Sequence, residues 1–296
     1  MRTFFYIVFG GLGLLLVCFF VSKINFSSVT VQTYSAIEEE EDNINTTNEA
    51  PVSAITAKSY IIMDIDSGSI IVSNEPDTLM PIASLTKLVT AVIVRQYMPP
   101  DLRIIISKKT LNTYGNSAGF REGETFTVDD LLYPLLMVSS NDAAEALADA
   151  YNVSNARGQQ QGRIAFMKAM NDFAQSIGAY RTYFADPAGL SVDSVSTAHD
   201  MAIILAWMKK NQPGLLDVTL QETKTLRAHT WVNPTHLLSW SYYIGGKNGY
   251  TMEANRTGAA LFKFGTASSS PTYAVVVLGS QSRDSDVVSL VSKINK

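Results

Sequence analysis

Alternating apolar and polar runs predict strands at both ends of the chain and helices between them. Two short β-branched runs, Ser59–Asp64 and Ser69–Ser73, flank an Asp-Ser-Gly turn and predict a hairpin. Strands return towards the end of the chain, at Gly258–Phe264 and Tyr273–Leu278, after a glycine-rich stretch at Gly245–Gly249. Strands contributed by both ends predict one sheet with a helical insertion.

Apolar residues at helical spacing dominate the middle of the chain. The run Ser84–Tyr97 repeats apolar side chains every three or four positions and stops at a Pro-Pro pair, which predicts a buried helix beginning at Ser84. Thr127 with Asp130 has the pattern of a capping box, and a further helix follows Asn141. Two more helices are predicted: Arg163–Ile177, closing at Gly178, and one opened by Thr197 and Asp200 that ends before Pro213.

An uncharged apolar run covers residues 3–22. At about 1.5 Å per residue it can cross the roughly 30 Å core of a bilayer. No small-residue cleavage pattern follows it, so we expect residues 1–22 to be a membrane anchor, with a cleaved signal peptide as the alternative. The flanking charges weakly favour a body outside the cytoplasm. Residues 23–55 are polar and acidic and predict a flexible linker, which leaves residues 56–296 as the folded domain.

Charge and cysteine content exclude several classes of protein. The chain has 23 basic and 27 acidic residues, and the excess of acids comes from the segment before residue 51. A folded domain without a Lys/Arg cluster offers no electrostatic surface for nucleic acid. The single cysteine, Cys18, excludes a disulfide framework. The spacing of the histidines matches no metal-ligand pattern, so we expect no metal.

Gly115–Gly119 satisfies the G-x-S-x-G pattern of a nucleophile elbow, and Asp217 and His236 follow in a suitable order. That motif requires a strand before its serine and a helix after it. Polar loop residues stand on both sides here, so we do not expect Ser117 to be a nucleophile.

Another serine has a potential base one helical turn away. Ser84 and Lys87 are three positions apart, which places the hydroxyl and the amine on one face of the predicted helix. A desolvated lysine with a lowered pKa can remove the proton of a serine. The same spacing also fits a capping serine beside a surface lysine, so this pair is not specific by itself.

Two further triplets, Ser139-Ser140-Asn141 and Lys247-Asn248-Gly249, follow the Ser84-Leu85-Thr86-Lys87 motif. With these motifs the chain resembles the serine penicillin-binding proteins, specifically the low-molecular-mass D-alanyl-D-alanine carboxypeptidases. Phe184–Leu190 and the YGNSAG-REGE loop are also similar to that family. The resemblance implies the α+β, β-lactamase/D,D-peptidase-like fold. In that fold helices flank an antiparallel sheet, and the active site lies between the sheet and an all-helical subdomain.

The resemblance makes residues 56–296 a catalytic domain at the extracytoplasmic side of the cell membrane. It implies hydrolysis of the terminal D-Ala-D-Ala bond of peptidoglycan stem pentapeptides, with no cofactor and with β-lactams as inhibitors. Alternative activities are those of a D,D-endopeptidase or a serine β-lactamase, although the E-x-x-L-N pattern of class A β-lactamases is absent. A non-catalytic module that binds β-lactams or cell wall is the alternative of another class.

Residue by residue, the resemblance makes Ser84 the acylated nucleophile and Lys87 its general base. Ser139 would relay the proton to the departing amine, and Asn141 would bind the substrate amide and hold Lys87. The backbone N–H groups of Ser84 and Tyr250 would form the oxyanion hole. The residues expected to bind substrate are Lys247, Asn248, Gly249, Tyr250, Thr251 and Arg283.

Asn248 and Arg283 need separate arguments. Asn248 stands where the family usually has Thr, and its longer amide can donate a similar hydrogen bond, so we expect activity with altered affinity. Arg283 is expected to bind the free carboxylate of the substrate, because a guanidinium can donate two parallel hydrogen bonds to it. Arg283 follows Tyr273–Leu278 by a short turn. We expect that strand to neighbour the strand of Lys247, which brings the turn to the groove.

Overall fold

The computed structural model describes residues 54–151, 159–267 and 270–294, which form an α+β domain. Its strands are β1 (Ser59–Asp64), β2 (Ile70–Asn74), β3 (Met80–Pro81), β4 (Arg103–Ile105), β5 (Thr125–Thr127), β6 (Val195–Ser196), β7 (Thr223–Leu226), β8 (His229–Val232), β9 (Tyr243–Thr251), β10 (Asn255–Lys263) and β11 (Thr272–Ser280). Its helices are α1 (Thr86–Tyr97), α2 (Lys108–Leu111), α3 (Val128–Met137), α4 (Asn141–Ala150), α5 (Gln159–Ser176), α6 (Ala198–Asn211), α7 (Pro213–Thr219) and α8 (Arg283–Val291).

The amino-terminal predictions fall almost wholly outside the described residues. The predicted anchor, residues 1–22, is not among them, and neither is the predicted linker up to residue 53. Within the ranges that are described, no helix is both long enough and apolar enough to cross a membrane.

The main sheet is antiparallel and has five strands in the order β2-β1-β11-β10-β9. Strand β1, from the start of the domain, pairs with β11, from its end, and Ile61 lies opposite Val276. The hairpin predicted at the start of the domain is β1 and β2. The prediction of one sheet built from both ends of the chain, with helices inserted between them, is therefore confirmed.

One predicted strand neighbour is wrong. We expected the strand of Lys247, which is β9, to lie beside Tyr273–Leu278 in β11. Instead β10 lies between them and pairs with both. A tight turn joins β9 to β10, and two strands joined by a tight turn pair with each other. The position beside β9 is therefore occupied by β10 and not by β11. As a result β9 is an edge strand of the sheet.

Both faces of the sheet are covered by helices. On one face Leu261 and Val276 enter the larger core, where α6 crosses β1, β10 and β11. On the other face Phe262 and Val277 pack against Leu290 of α8. Because successive residues of a strand point to opposite faces, neighbours such as Leu261 and Phe262 belong to different cores. This two-sided burial explains the apolar runs in the central strands β1, β11 and β10.

Helices α1, α3, α4 and α5 pack on one another beside the sheet, and α1 is at their centre. Every residue from Thr86 to Val94 is buried. The helix begins later than predicted, because Ser84 lies in a 3₁₀ turn, Ala83–Leu85, before it. Ala83 has a φ of 49°, which interrupts the helical backbone directly before the serine. No side chain caps α1, so Ser84 is not a capping residue.

Other helix predictions are confirmed. Thr127 and Asp130 form a reciprocal capping box at the start of α3. The side chain of Thr197 accepts a hydrogen bond from the Asp200 N–H at the start of α6. The sequence patterns missed the hairpin of β7 and β8, because each strand has only four residues, too few for a clear alternation.

Candidate active site

Ser84 and Lys87 form a hydrogen-bonded pair at the start of α1. The Lys87 Nζ lies 2.8 Å from the Ser84 Oγ and 2.7 Å from the carbonyl oxygen of Ala188. The Lys87 side chain is fully buried, whereas Ser84 is partly exposed. The helical spacing therefore places a buried amine against an accessible hydroxyl, as the sequence predicts.

The surroundings of Lys87 disfavour its ammonium form. Burial lowers the pKa of Lys87 well below its ordinary value, and the positive charge of Lys247 lowers this pKa further. The negative charges of Asp186, Asp142 and Glu145 oppose that effect by raising the pKa. A neutral amine has a lone pair with which to accept the serine proton, so the site favours the state of lysine that a general base requires.

The hydrogen bonds that position Lys87 differ from the prediction. Asn141 was expected to hold Lys87, but the Asn141 side chain donates instead to the Tyr114 carbonyl at 2.8 Å. The second hydrogen-bond partner of Lys87 is the main-chain carbonyl of Ala188. Ala188 lies in Phe184–Leu190, a segment for which the sequence indicated only a similarity to the family. No side-chain pattern could reveal this contact, because a backbone carbonyl is present at every position.

Ser139 and Asn141 lie where α3 meets α4. Ser139 has a φ of 59°, a left-handed conformation that non-glycine residues rarely adopt. Its Oγ is buried and has no hydrogen-bond partner within the described residues. Asn141 is the first residue of α4 and is nearly buried. The tight left-handed turn thus presents both side chains from a fixed position.

The loop with the G-x-S-x-G pattern supports Asn141. The Asn116 carbonyl accepts the Asn141 N–H at 2.7 Å, and a Cβ on Gly115 would lie 2.7 Å from the Asn141 Nδ2. The Ser117 Oγ donates to Asp142 at 2.7 Å, so the hydroxyl is tied to a buried carboxylate. As the sequence predicts, Ser117 lies on a loop without a preceding strand or a following helix.

The glycine of the third motif lets β9 approach Ser84 closely. A Cβ on Gly249 would lie 2.8 Å from the Ser84 backbone nitrogen, a distance that no side chain tolerates. The Lys247 Nζ donates to the Asn248 carbonyl at 2.8 Å, and the Asn248 side chain is 3.4 Å from the Thr235 Oγ1. Tyr250 is exposed and Thr251 partly exposed at the end of the strand. The structure therefore brings β9 and Ser84 together.

Arg283 begins α8 and lies over the sheet. Its side-chain carbons would be 3.1 Å from a Cβ on Gly258, which pairs directly with Asn248. Partners in an antiparallel pair share a face, so Arg283 and Asn248 lie on the same side of the sheet. The Arg283 Nε donates to Asp284 at 2.7 Å, and the residue is mostly buried. Arg283 thus reaches this face although β11 does not neighbour β9.

Within the described part of the chain, no three His, Cys, Asp or Glu side chains form a group that could hold a metal ion. The site consists of a hydroxyl, a buried amine, an unpaired second hydroxyl, an amide and a second lysine. Such a set can carry nucleophilic acyl transfer, in which the protein's own groups move the protons.

Known proteins are similar to this chain in sequence. Residues 44–282 match the family described as D-alanyl-D-alanine carboxypeptidase. The Escherichia coli K12 D-alanyl-D-alanine endopeptidase is 34% identical over 211 residues, which cover 69% of this chain and 63% of that protein. The Mycobacterium tuberculosis D-alanyl-D-alanine carboxypeptidase DacB2 is 29% identical over 220 residues, covering 71% of this chain and 72% of that protein.

A solved structure supports the same grouping. The crystal structure of the Streptomyces K15 DD-transpeptidase aligns with a TM-score of 0.74 and 26% identity, over 82% of this chain and 97% of that chain. The α+β fold that the resemblance implied is therefore confirmed. The family match spans all three motifs, from Ser84 to Gly249, and most of the chain. The chain belongs to the D-alanyl-D-alanine carboxypeptidase family.

Proposed function

We propose that this chain removes the terminal D-alanine from peptidoglycan stem pentapeptides through an acyl-enzyme at Ser84. The observation that carries the proposal is the buried Lys87 amine, 2.8 Å from the Ser84 Oγ, in surroundings that favour its neutral form. A second candidate is D,D-endopeptidase action on cross-links, which is favoured by the name of the Escherichia coli relative. Both activities use the same acyl-enzyme and differ in the leaving group.

The proposed reaction begins when Lys87 takes the Ser84 proton and the Oγ attacks the carbonyl carbon of the penultimate D-alanine. The backbone N–H groups of Ser84 and Tyr250 stabilise the oxyanion, and each donor in such a site contributes on the order of 3 kcal/mol. The C–N bond then breaks, and Ser139 relays the proton held by Lys87 to the departing amine, which returns Lys87 to its neutral form. Water hydrolyses the ester, which releases the shortened peptide and restores the Ser84 hydroxyl.

Features of the site support the remaining roles. The Ser139 Oγ is without a hydrogen-bond partner in the described residues, so it is available to relay a proton. The Asn141 side chain donates one N–H to Tyr114 and retains a second N–H and its carbonyl for the substrate amide. Lys247 is almost buried on β9, the strand that passes beside Ser84, where its charge favours an anionic substrate.

Recognition of the free carboxylate is assigned to Asn248 and Arg283, with Lys247 beside them. Arg283 and Asn248 share a face of the sheet, and the Asp284 carboxylate holds the Arg283 Nε. The terminal nitrogens of the guanidinium remain as donors for a carboxylate. Gly249, Tyr250 and Thr251 are assigned to the strand edge along which the substrate main chain lies.

We also propose that residues 1–22 anchor the protein in the cell membrane, with the catalytic domain outside the cytoplasm. The support is the uncharged apolar run of residues 3–22. The polar, acidic residues 23–55 would then serve as a tether between the bilayer and the domain.

The activity itself is tested by mass spectrometry of products. With a stem pentapeptide we expect loss of one D-alanine, and with a cross-linked dimer we expect slower cleavage or none. Ser84→Ala should abolish the reaction, whereas the matched variant Ser117→Ala should keep it, because the Ser117 hydroxyl is engaged with Asp142. Faster cleavage of the dimer would favour the endopeptidase, and acylation without any turnover would favour the non-catalytic module.

Replacement of the base should slow acylation by benzylpenicillin. Lys87→Ala removes the group that accepts the Ser84 proton, so we expect a rate at least about 10²-fold lower. In the wild type, acylation should rise with pH as Lys87 loses its proton, with a midpoint below the ordinary pKa of lysine because burial lowers that pKa. Stopped-flow or intact-mass kinetics measure both effects. Exposed Lys210→Ala is the control, and unchanged acylation in folded Lys87→Ala would refute the role.

Loss of the arginine should affect only substrates with a carboxylate. A charge-assisted hydrogen bond contributes roughly 1.5–3 kcal/mol, so Arg283→Ala should reduce kcat/KM on the pentapeptide by about 10- to 150-fold. Acylation by a neutral thioester that lacks the carboxylate should change much less. Equal losses on both substrates, or no loss on either, would contradict carboxylate recognition by Arg283.

Anchoring is checked in cells that express the full chain. We expect the protein in the membrane fraction, resistant to carbonate extraction, with its original amino terminus. The matched chain without residues 1–22 should appear in the soluble fraction. A mature protein whose sequenced amino terminus lies between residues 22 and 55 would show that the segment is a cleaved signal peptide.

A further inference from the structure

We propose that Asp186 is a positioning residue that holds the Lys87 amine beside Ser84 through its own loop and places a buried negative charge near that amine. This inference rests on the proposed role of Lys87 as the base. Asp186 is almost completely buried, and the proposed reaction does not otherwise use it. The connection runs from the Asp186 carboxylate through one loop to the Ala188 carbonyl, and from there to the Lys87 Nζ.

The Asp186 carboxylate accepts several hydrogen bonds from the loop that follows it. Its Oδ1 accepts the N–H groups of Ala188 at 2.8 Å, Gly189 at 2.6 Å and Leu190 at 3.1 Å. Its Oδ2 accepts the Ser191 N–H at 2.7 Å and the Ser194 hydroxyl at 3.2 Å. All these partners are donors, which is the environment that suits an ionised carboxylate. A buried negative charge thus organises the segment that touches Lys87.

Two further contacts lock this loop against the nucleophile helix. The Thr90 Oγ1, on α1, donates to the Pro187 carbonyl at 2.6 Å. Gly189 has a φ of 78°, and a Cβ there would lie 1.8 Å from the Ala83 carbonyl oxygen. The loop is therefore packed directly against the turn that carries Ser84. Its Ala188 carbonyl has little freedom to move away from the Lys87 Nζ.

Charged groups surround Lys87 from several elements. Lys247 on β9 disfavours the ammonium, whereas Asp142 and Glu145 on α4 favour it, as Asp186 does. Glu145 also forms an ion pair with Arg163 of α5, which offsets part of its negative charge. Among the acids, Asp186 is the one whose loop also supplies a hydrogen-bond partner to the Lys87 amine.

Two consequences follow for Lys87. The carboxylate opposes burial and Lys247, so the pKa of Lys87 does not fall as far as those two influences would take it, and the neutral amine remains a stronger base. The loop also keeps the Nζ beside the Ser84 Oγ. The charge of Asp186 therefore acts on the pH at which Lys87 titrates, and its loop acts on the position of the Nζ.

The test measures the rate of acylation by benzylpenicillin against pH in the full chain. The acid limb of this profile is the range in which the rate rises with pH as Lys87 loses its proton. We expect Asp186→Asn to move the acid limb to lower pH, because the negative charge that favours the Lys87 ammonium is gone. We also expect the plateau rate to fall by about 10-fold or more, because small displacements of a catalytic group are costly. If Asp186→Asn does not fold, Asp186→Ser keeps a hydroxyl that can accept loop N–H groups and serves as the second neutral variant.

Two controls separate charge from structure. Thr90→Val loosens the same loop without a change of charge, so it should lower the plateau and leave the acid limb in place. Asp200→Asn removes another buried carboxylate, one that bonds Arg181 and Thr182 instead, and should leave the limb unchanged. If a folded neutral variant at position 186 keeps the acid limb of the wild type, and Lys87→Ala still disables acylation, this inference is overturned and the proposed function is not. Wild-type acylation in Lys87→Ala would instead overturn the proposed function.

Discussion

The burial of the Lys87 amine is the constraint on which the catalytic arrangement depends. A lysine without solvent must either lose its charge or have that charge compensated, because an unpaired buried ion costs several kcal/mol or more. Here the Nζ has the Ser84 hydroxyl on one side and the Ala188 carbonyl on the other. Burial and Lys247 lower its pKa, while the surrounding acids raise it. The amine is therefore held in place, and its pKa lies below the ordinary value for lysine.

Satisfying this amine requires distant segments of the chain to meet without gaps. Gly249 allows β9 to pass directly beside the Ser84 nitrogen, and Gly189 allows the loop of Asp186 to pack on Ala83. Ala83 itself has a positive φ, so the serine stands on a tight turn and not within the regular helix. Close approach of backbones is thus the means by which the sheet, the loop and α1 form one site. Side chains at either glycine would push these elements apart.

The loop between α2 and β5 illustrates how a misleading motif can still matter. Its G-x-S-x-G pattern places Ser117 against Asp142, where the hydroxyl has a structural partner. The same loop accepts the Asn141 N–H through Asn116 and provides the Tyr114 carbonyl for the Asn141 side chain. The positioning of Asn141 therefore depends on the backbone carbonyls of Asn116 and Tyr114, and the side chains of those two residues do not take part in these hydrogen bonds.

The sequence by itself determined many of the elements and the reactive pair, because these depend on local spacing. The hairpin of β1 and β2, the capping box at Thr127 and the facing of Ser84 and Lys87 all follow from residues a few positions apart. Only the tertiary structure decided the strand order around β10, the Ala188 partner of Lys87 and the Tyr114 partner of Asn141. Those contacts join backbone groups to residues far along the chain. A backbone carbonyl carries no signature of its own, so such contacts become visible only when the chain is folded.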